Sequence, residues 1–189
     1  MNKSEKEDLR VKRTRKLLYQ ALMDLIKKES FETITVKQIC DLAMVHRTTF
    51  YVHFQDKFDL LTQALRQIAD EELNQSGPID PARNFHEVCE VAIQHKELFS
   101  QLLLEDRDSL RNILRSEMKM GIMHYADEQN QEWKDMDVMD REIAIEAYIG
   151  SALSVLQWWL QNNMPISTDE LYRRFERNMN WNWNARGNV

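Results

Sequence analysis

Five polar side chains lie close together towards the end of the first third of this 189-residue chain. They are Arg47, Thr48, Thr49, Tyr51 and His53. On a helix, Phe50 and Phe54 share one face because they are four residues apart, so the polar side chains before and between them point elsewhere. Guanidinium, hydroxyl and imidazole groups donate hydrogen bonds to phosphate oxygens and to base edges. The segment therefore suits contact with DNA.

The rest of the chain lacks the residue patterns that are typical of enzymes. There is no glycine-rich loop to hold phosphates, no HExxH or CxxC spacing, and no persuasive nucleophile beside a base. Cys40 and Cys89 are far apart and lie on apolar helical faces, which argues against a metal site and a disulfide scaffold. We predict no enzymatic activity, no metal, no cofactor, and a reducing cytoplasm as the location.

Two short helices around a tight turn are expected to carry the polar segment. Thr35 is a good N-cap for the first, in which Ile39, Leu42 and Ala43 recur at helical spacing. The second runs from about residue 47 to residue 54, and a third begins after Asp56. This arrangement predicts a helix-turn-helix, with core residues at Ile39, Leu42, Phe50 and Phe54.

The order of residues in this segment resembles the N-terminal domain of TetR-family transcriptional regulators. The resemblance rests on Ala43, Val45, Arg47, Thr49, Phe50, Tyr51, His53, Phe54 and Lys57. It is specific from about residue 13 to residue 61. It continues more weakly in the C-terminal half, where residues 150–171 resemble a helix and loop of one branch of TetR-like C-terminal domains.

The resemblance implies that the helix beginning near Arg47 lies in the major groove, where each base pair presents a distinct pattern of donors and acceptors. Arg47 would then bind the O6 and N7 of guanine with its planar guanidinium. Thr49, Tyr51 and His53 match phosphate-contacting positions of the family, and Lys57 is expected to contact a phosphate as well. The full set of predicted DNA-contacting residues is Thr35, Lys37, His46, Arg47, Thr48, Thr49, Tyr51, His53 and Lys57.

Two residues depart from the family pattern. Met44 occupies a turn position where most members have glycine, which adopts positive φ at no steric cost. It must therefore hold a strained conformation, or the turn must differ in geometry. His46 stands where Ser or Asn is common, and imidazole caps a helix less well.

Composition favours an all-α fold. With only four Gly and three Pro in 189 residues, the chain has few of the turn residues that β-rich folds require. We expect a helix-turn-helix domain at residues 1–57, a connector helix at about 56–75, and a helical C-terminal domain at 76–189. The predicted helices outside the helix-turn-helix are 9–28, 82–94, 96–104, 108–128, 137–163 and 168–182.

Charge is distributed unevenly along the chain. The net charge is −6, but residues 1–57 hold 12 Lys and Arg against 8 Asp and Glu, and the remaining residues hold 13 against 23. The first helix is preceded or opened by the basic residues Lys6, Arg10, Lys12, Arg13, Arg15 and Lys16. Such a basic arm either contacts the DNA backbone or serves as a solubilising tail.

Residues 147–168 carry no charge. Their polar residues and the short apolar core at 152–160 argue against a membrane span, so this helix is expected to be buried on more than one side. In the family the last two long helices form the dimer contact, which implies an interface containing Gly150, Ser151, Ser154, Trp158, Leu171 and Phe175. An intramolecular core would show the same sequence pattern.

The resemblance also implies regulation by a small molecule bound in the C-terminal bundle. Candidate ligand-contacting residues are Met120, Met123, His124 and Tyr148, although such residues are also common in a core. The sequence thus predicts a dimeric repressor that a small effector releases from a palindromic DNA operator. The alternatives are an activator, or a regulator whose acidic C-terminal half binds a protein partner.

Overall fold

Helices make up every regular element in the described part of the chain. The structure is a computed structural model, and it describes residues 3–73, 81–105, 108–129 and 135–179. The helices are α1 Lys3–Ile26, α2 Val36–Ala43, α3 Arg47–His53, α4 Lys57–Ile68, α5 Pro81–Gln94, α6 Lys96–Leu103, α7 Asp108–Gln129, α8 Val138–Gln161 and α9 Thr168–Met179. A π-helical stretch, Ala69–Leu73, follows α4. The all-α prediction is confirmed.

Most helix ends lie within a few residues of the prediction. The largest difference is at the start of α1, which begins at Lys3 rather than near Leu9 because residues 3–8 are mostly Lys, Glu and Asp around a serine, and Lys and Glu favour helix. The predicted ends of the connector, at residue 75, and of the last helix, at residue 182, lie outside the described residues.

The chain forms two compact units that do not follow the predicted division at residues 57 and 76. The first unit is Met1–Asp70 with Glu97–Glu117, and the second is Glu71–Lys96 with Met118–Val189. Residues after 96 join the first unit because α6 is hydrogen-bonded to the turn after α1. There, Gln101 Nε2 donates to the carbonyls of Ile26 and Glu29, at 2.8 and 3.0 Å.

The first unit has its core where α1 packs on α2 and α4. The largest fully buried side chains from these helices and α3 are Leu18, Leu22, Ile39, Phe50, Phe54, Leu60 and Leu61. One predicted core residue is corrected: Leu42 is 44% exposed, because it lies at the edge of the buried face of α2, on the side of Ile39 away from the buried Cys40 and Ala43.

The second unit has an aromatic core. Phe85 of α5 stacks on Phe175 of α9 with ring centroids 4.0 Å apart, and Tyr148 of α8 meets Phe175 edge-on. Trp159 is fully buried, and its Nε1 donates to the carbonyl of Ile166 at 2.9 Å. These contacts fix α8 and α9 within the unit.

Helix α8 is long and apolar enough to cross a membrane by length and composition, a test that the core helix of a soluble protein also passes. Eight of its side chains are buried. The two cysteines, Cys40 and Cys89, are buried free thiols, and burial is the main cause that raises the pKa of Cys89 to about 12. Such a thiol is unreactive at neutral pH.

Candidate nucleic-acid interface

Helix α2 begins at a complete capping box. The Thr35 hydroxyl accepts from the Gln38 amide at 3.2 Å, and Gln38 Oε1 accepts from the Thr35 amide at 2.8 Å. The amides of Thr35 and Gln38 would otherwise lack a partner at the start of the helix, so the capping box fixes the first turn of α2. The predicted N-cap is confirmed, and the Thr35 hydroxyl is engaged within the chain.

The turn from α2 to α3 keeps a left-handed residue without using glycine. Met44 has φ 54° and ψ 39°. Its amide donates to the Asp41 carbonyl at 3.3 Å, and the Val45 amide donates to the Cys40 carbonyl at 3.0 Å, which closes the end of α2. A side chain in this conformation costs about 1–2 kcal/mol. The Met44 side chain is 94% exposed, so no burial offsets that strain.

Helix α3 presents one exposed face and one buried face. Phe50 is fully buried, and Phe54 just after the helix is buried beside it. The exposed side chains of α3 are Arg47, Thr48, Tyr51 and Val52. His46 precedes the helix in extended conformation and makes no side-chain capping hydrogen bond, as expected for imidazole. Anchoring by two phenylalanines leaves the opposite face free to enter a groove.

The predicted phosphate-contacting residues of α3 lie at the edges of this exposed face. Tyr51 is exposed, and its ring packs edge-on against Phe50 with centroids 5.4 Å apart. Thr49 and His53 are half-buried. Burial and, to a lesser degree, the positive charge of Arg15 lower the pKa of His53. Imidazole and two hydroxyl groups thus flank the exposed side chains that were predicted to contact bases.

Lys57 has a different role from the one predicted. Its Nζ donates to three backbone carbonyls of the turn after α1, those of Phe31, Glu32 and Ile34, at 2.8, 2.7 and 2.8 Å. An ammonium has only three hydrogens to donate, so none is left for a phosphate. Burial lowers the pKa of Lys57.

The N-terminus of α4 beside Lys57 is engaged as well. Asp56 Oδ1 accepts from the amides of Phe58 and Asp59 at 2.8 and 2.9 Å. The predicted phosphate contact of Lys57 is therefore corrected: its ammonium binds the turn after α1, and the amides beside it are bound by the Asp56 cap.

Further basic residues lie on α1 and α2. Lys37 is exposed in the first turn of α2. Exposed on α1 are Arg10, Lys12, Arg13 and Lys16, and Arg15 is half-buried. Lys6 lies in α1, but its side chain is outside the described residues.

Sequence reasoning missed two exposed apolar side chains in this region. Val52 is 77% exposed and lies one helical turn after Thr48 on α3, and Met44 precedes the same helix. Helical spacing alone places Val52 on the same face as Thr48, so the sequence does indicate that Val52 is exposed. The prediction did not include Val52 because it assigned apolar residues only to the core.

The predicted ligand-contacting residues and the predicted dimer residues differ in how far they are exposed. Met120 and Met123 are exposed on α7, Tyr148 is buried against Phe175, and the His124 side chain lies outside the described residues. Leu171 and Phe175 are buried within the second unit, which corrects their assignment to a dimer interface. Gly150 and Ser151 are half-buried on α8, and Ser154 and Trp158 are exposed there.

Comparison with known sequences identifies the family. A sequence model of TetR-type regulators, described as "Transcriptional regulator C-terminal region", matches residues 80–180, more than half of the chain. The chain belongs to the TetR family of transcriptional regulators. The resemblance to this family rested mainly on the N-terminal segment, and the match to the C-terminal half of this TetR-family protein confirms it.

Relatives of this TetR-family regulator share its fold at low identity. A TetR transcriptional regulator from Streptococcus agalactiae 2603V matches with a TM-score of 0.64 and 20% identity, covering 91% of this chain and 96% of the other. The dihydroxyacetone kinase operon activator DhaS matches with a TM-score of 0.61 and 16% identity, over 88% and 93% of the two chains.

A relative known from its sequence is the uncharacterized HTH-type transcriptional regulator YxbF of Bacillus subtilis (strain 168). It is 26% identical over 132 residues, which is 69% of this chain. The matched part spans 30% of the length of YxbF.

Proposed function

We propose that this TetR-family regulator binds a palindromic DNA operator as a homodimer, with one α3 from each copy in successive major grooves. The exposed face of α3 carries the proposal: two buried phenylalanines anchor the helix, and four exposed side chains face outward. A major groove admits one helix, and two half-sites one turn apart need about 34–36 Å between copies.

The proposed contacts divide into base contacts and phosphate contacts. Arg47 binds guanine O6 and N7 with its two-pronged donor set, and His46 and Thr48 flank it. Val52 adds apolar contact with a thymine methyl group. Phosphates are bound by Lys37, Thr49, Tyr51 and His53. Thr35 supports α2 through its cap. Because its hydroxyl is engaged there, any contact of Thr35 with DNA is proposed to be made by the backbone around it and not by its side chain.

The proposed dimer contact lies on the exposed face of α8. This face holds Ile143, Ala147, Ser154 and Trp158, all uncharged, and Trp158 is 49% exposed. A large exposed aromatic beside small side chains suits close helix packing, and interfaces are enriched in Trp. Gly150 and Ser151 lie beside this face and complete it. Leu171 and Phe175 contribute from inside by holding α9 in place.

Regulation is proposed to follow the family pattern: repression in the cytoplasm, relieved by a small effector bound in the second unit. Such an effector acts by favouring a conformation in which the two α3 helices no longer match the groove spacing. Activation is a second candidate, because the similar protein DhaS is described as an operon activator. A protein partner is a third, favoured by the acidic excess of residues 58–189.

Selection of genomic fragments by the purified protein tests the DNA proposal. At about physiological salt, we expect the native protein to enrich one palindrome, and Arg47→Ala to lose the preference at one base pair of each half-site, at a cost of about 1–3 kcal/mol. Arg177→Ala removes another exposed arginine, from α9, and serves as the control. The proposal fails if the native protein enriches no sequence, or if Arg47→Ala selects the same sequences with the same preference.

A further inference from the structure

The Phe54 ring gathers three polar side chains from two helices. The Arg15 guanidinium carbon lies 5.7 Å from the Phe54 ring centroid. The Tyr19 ring lies 5.8 Å from the same centroid, at an interplanar angle of 62°. The His53 ring lies 6.3 Å away, also at 62°. Arg15 and Tyr19 belong to α1 and His53 to α3, so this aromatic ring joins the basic arm to the recognition helix.

The cluster holds two basic groups without a dedicated anion. Within the described residues, Arg15 forms no ion pair, and its buried Nε has no hydrogen-bond partner. Burial raises the pKa of Tyr19; the positive charge of Arg15 opposes this rise, and the nearby carboxylate of Asp59 adds to it by a smaller amount. The Asp59 oxygens, however, already accept from the Gln55 amide at 2.9 Å and from Gln63 Nε2 at 2.8 Å.

Such an arrangement is unfavourable in the free protein. Removing part of a guanidinium from water without a hydrogen-bond partner costs free energy. Burial and the nearby Arg15 charge also disfavour protonation of His53, whose pKa is lowered. Local conflicts of this kind concentrate at sites that bind a ligand, because the ligand relieves them. The ligand that relieves two adjacent basic groups is an anion.

We propose that Arg15 and His53 together bind one phosphate of the DNA backbone. The proposal rests on the proposed function, since it assumes that α3 lies in the groove. An arginine fork pairs with two phosphate oxygens, and the imidazole, when protonated, donates to a third position. Because one group comes from α1 and the other from α3, this phosphate fixes the orientation of the recognition helix relative to the arm.

A pair of charge-removing variants on α1 separates this site from general electrostatic attraction. Arg15→Gln removes the proposed contact, and Arg13→Gln removes an exposed charge two residues away. Affinity is measured for the selected operator and for an unrelated duplex over a salt series. We expect Arg15→Gln to weaken both by about tenfold and to reduce the salt slope by about one. Arg13→Gln should have less than half of each effect.

A double-mutant cycle tests whether the two groups share one phosphate. His53→Gln is expected to weaken binding several-fold, and the double variant to weaken it by clearly less than the product of the two single effects. Independent, multiplying effects would overturn the shared site. Equal effects of Arg15→Gln and Arg13→Gln would overturn it as well.

Folding is checked by thermal unfolding of each variant. If Arg15→Gln does not fold, Arg15→Lys is used instead. This variant keeps the charge and is expected to keep the native salt slope. A flattened salt slope in Arg15→Lys would contradict the proposal. A native protein that binds no DNA would refute the proposed function. If the native protein binds its operator and Arg15→Gln binds it with the same affinity, only the shared phosphate site is refuted.

Discussion

Single residues in this chain often act on the backbone where their type suggested a contact with DNA. Lys57 matched a phosphate-contacting position, yet its ammonium donates to three carbonyls of the turn after α1. The Thr35 hydroxyl likewise caps α2. The sequence pattern predicted the capping role of Thr35, but it did not reveal the role of Lys57, because the partner atoms of its ammonium are main-chain atoms 23 to 26 residues away.

Replacing Lys57 by methionine is therefore expected to reduce stability rather than salt dependence. The change leaves three carbonyls without a charged donor, so the free energy of unfolding should fall by about 2 kcal/mol. The salt slope of operator binding should stay at the native value. Urea unfolding and a salt titration measure the two quantities. Lys37→Met, at an exposed position on α2, should give the opposite pattern: native stability and a slope reduced by about one.

Met44 holds a left-handed conformation with an exposed side chain, so glycine should be preferred there. Relief of the steric strain outweighs the greater chain entropy of glycine, and Met44→Gly is expected to raise the free energy of unfolding by up to about 1 kcal/mol. Denaturant unfolding measures it. Met139→Gly, at an exposed methionine in the first turn of α8, should be neutral to destabilising. A loss of stability on Met44→Gly would show that the turn does not require positive φ.

At the level of elements, the sequence predicted the helices better than their packing. The start of α2 at Thr35 and the start of α4 at Asp56 followed from local caps, and the apolar spacing placed Phe50 and Phe54 in the core. The position of α6 did not follow. Its apolar spacing predicts a helix, but one glutamine among its apolar residues gives no indication that the helix belongs to the first unit.

Gln101 is expected to be the residue that attaches α6 to the turn after α1. Besides its two donated bonds, its Oε1 accepts from the Phe31 amide at 2.6 Å. Gln101→Ala should lower the free energy of unfolding by about 2 kcal/mol and speed amide hydrogen exchange in residues 27–35. Gln20→Ala removes an exposed glutamine of α1 that bonds only to Asp24 among the described residues, and it should change neither. Unchanged exchange in Gln101→Ala would mean that other contacts hold α6.

At the level of the whole molecule, the proposed operator binding requires two copies. The exposed face of α8 is the proposed contact, and it has no charged residue between Ala147 and Trp158. The family resemblance named this helix as a candidate for the dimer contact but could not separate its exposed side chains from its buried ones. Which side chains of α8 are exposed depends on how this helix packs against the rest of its own chain, and the amino-acid sequence alone does not specify that packing.

A charge placed on this face is expected to separate the copies. Trp158→Glu should convert the dimer to monomer in sedimentation experiments and weaken operator binding by at least tenfold, because a desolvated unpaired charge is unfavourable at an interface. Met120→Glu, on the exposed side of α7, should leave the dimer intact. A dimer that persists in Trp158→Glu would place the contact on another surface.

The turn between α1 and α2 has a consequence for the design of hybrid regulators. Gln101 and Lys57 hold this turn from two helices, and every atom of the turn with which they form a hydrogen bond belongs to the main chain. Lys57 also lies over the Phe31 ring, 4.8 Å from its centroid, so a helix-turn-helix domain from a relative needs a side chain like Phe31 to dock on this α6, whereas the hydrogen bonds themselves do not depend on side chains in residues 26–35. Such a domain also needs the same number of residues there, so that insertions in this turn, rather than substitutions other than at Phe31, should decide which chimaeras fold.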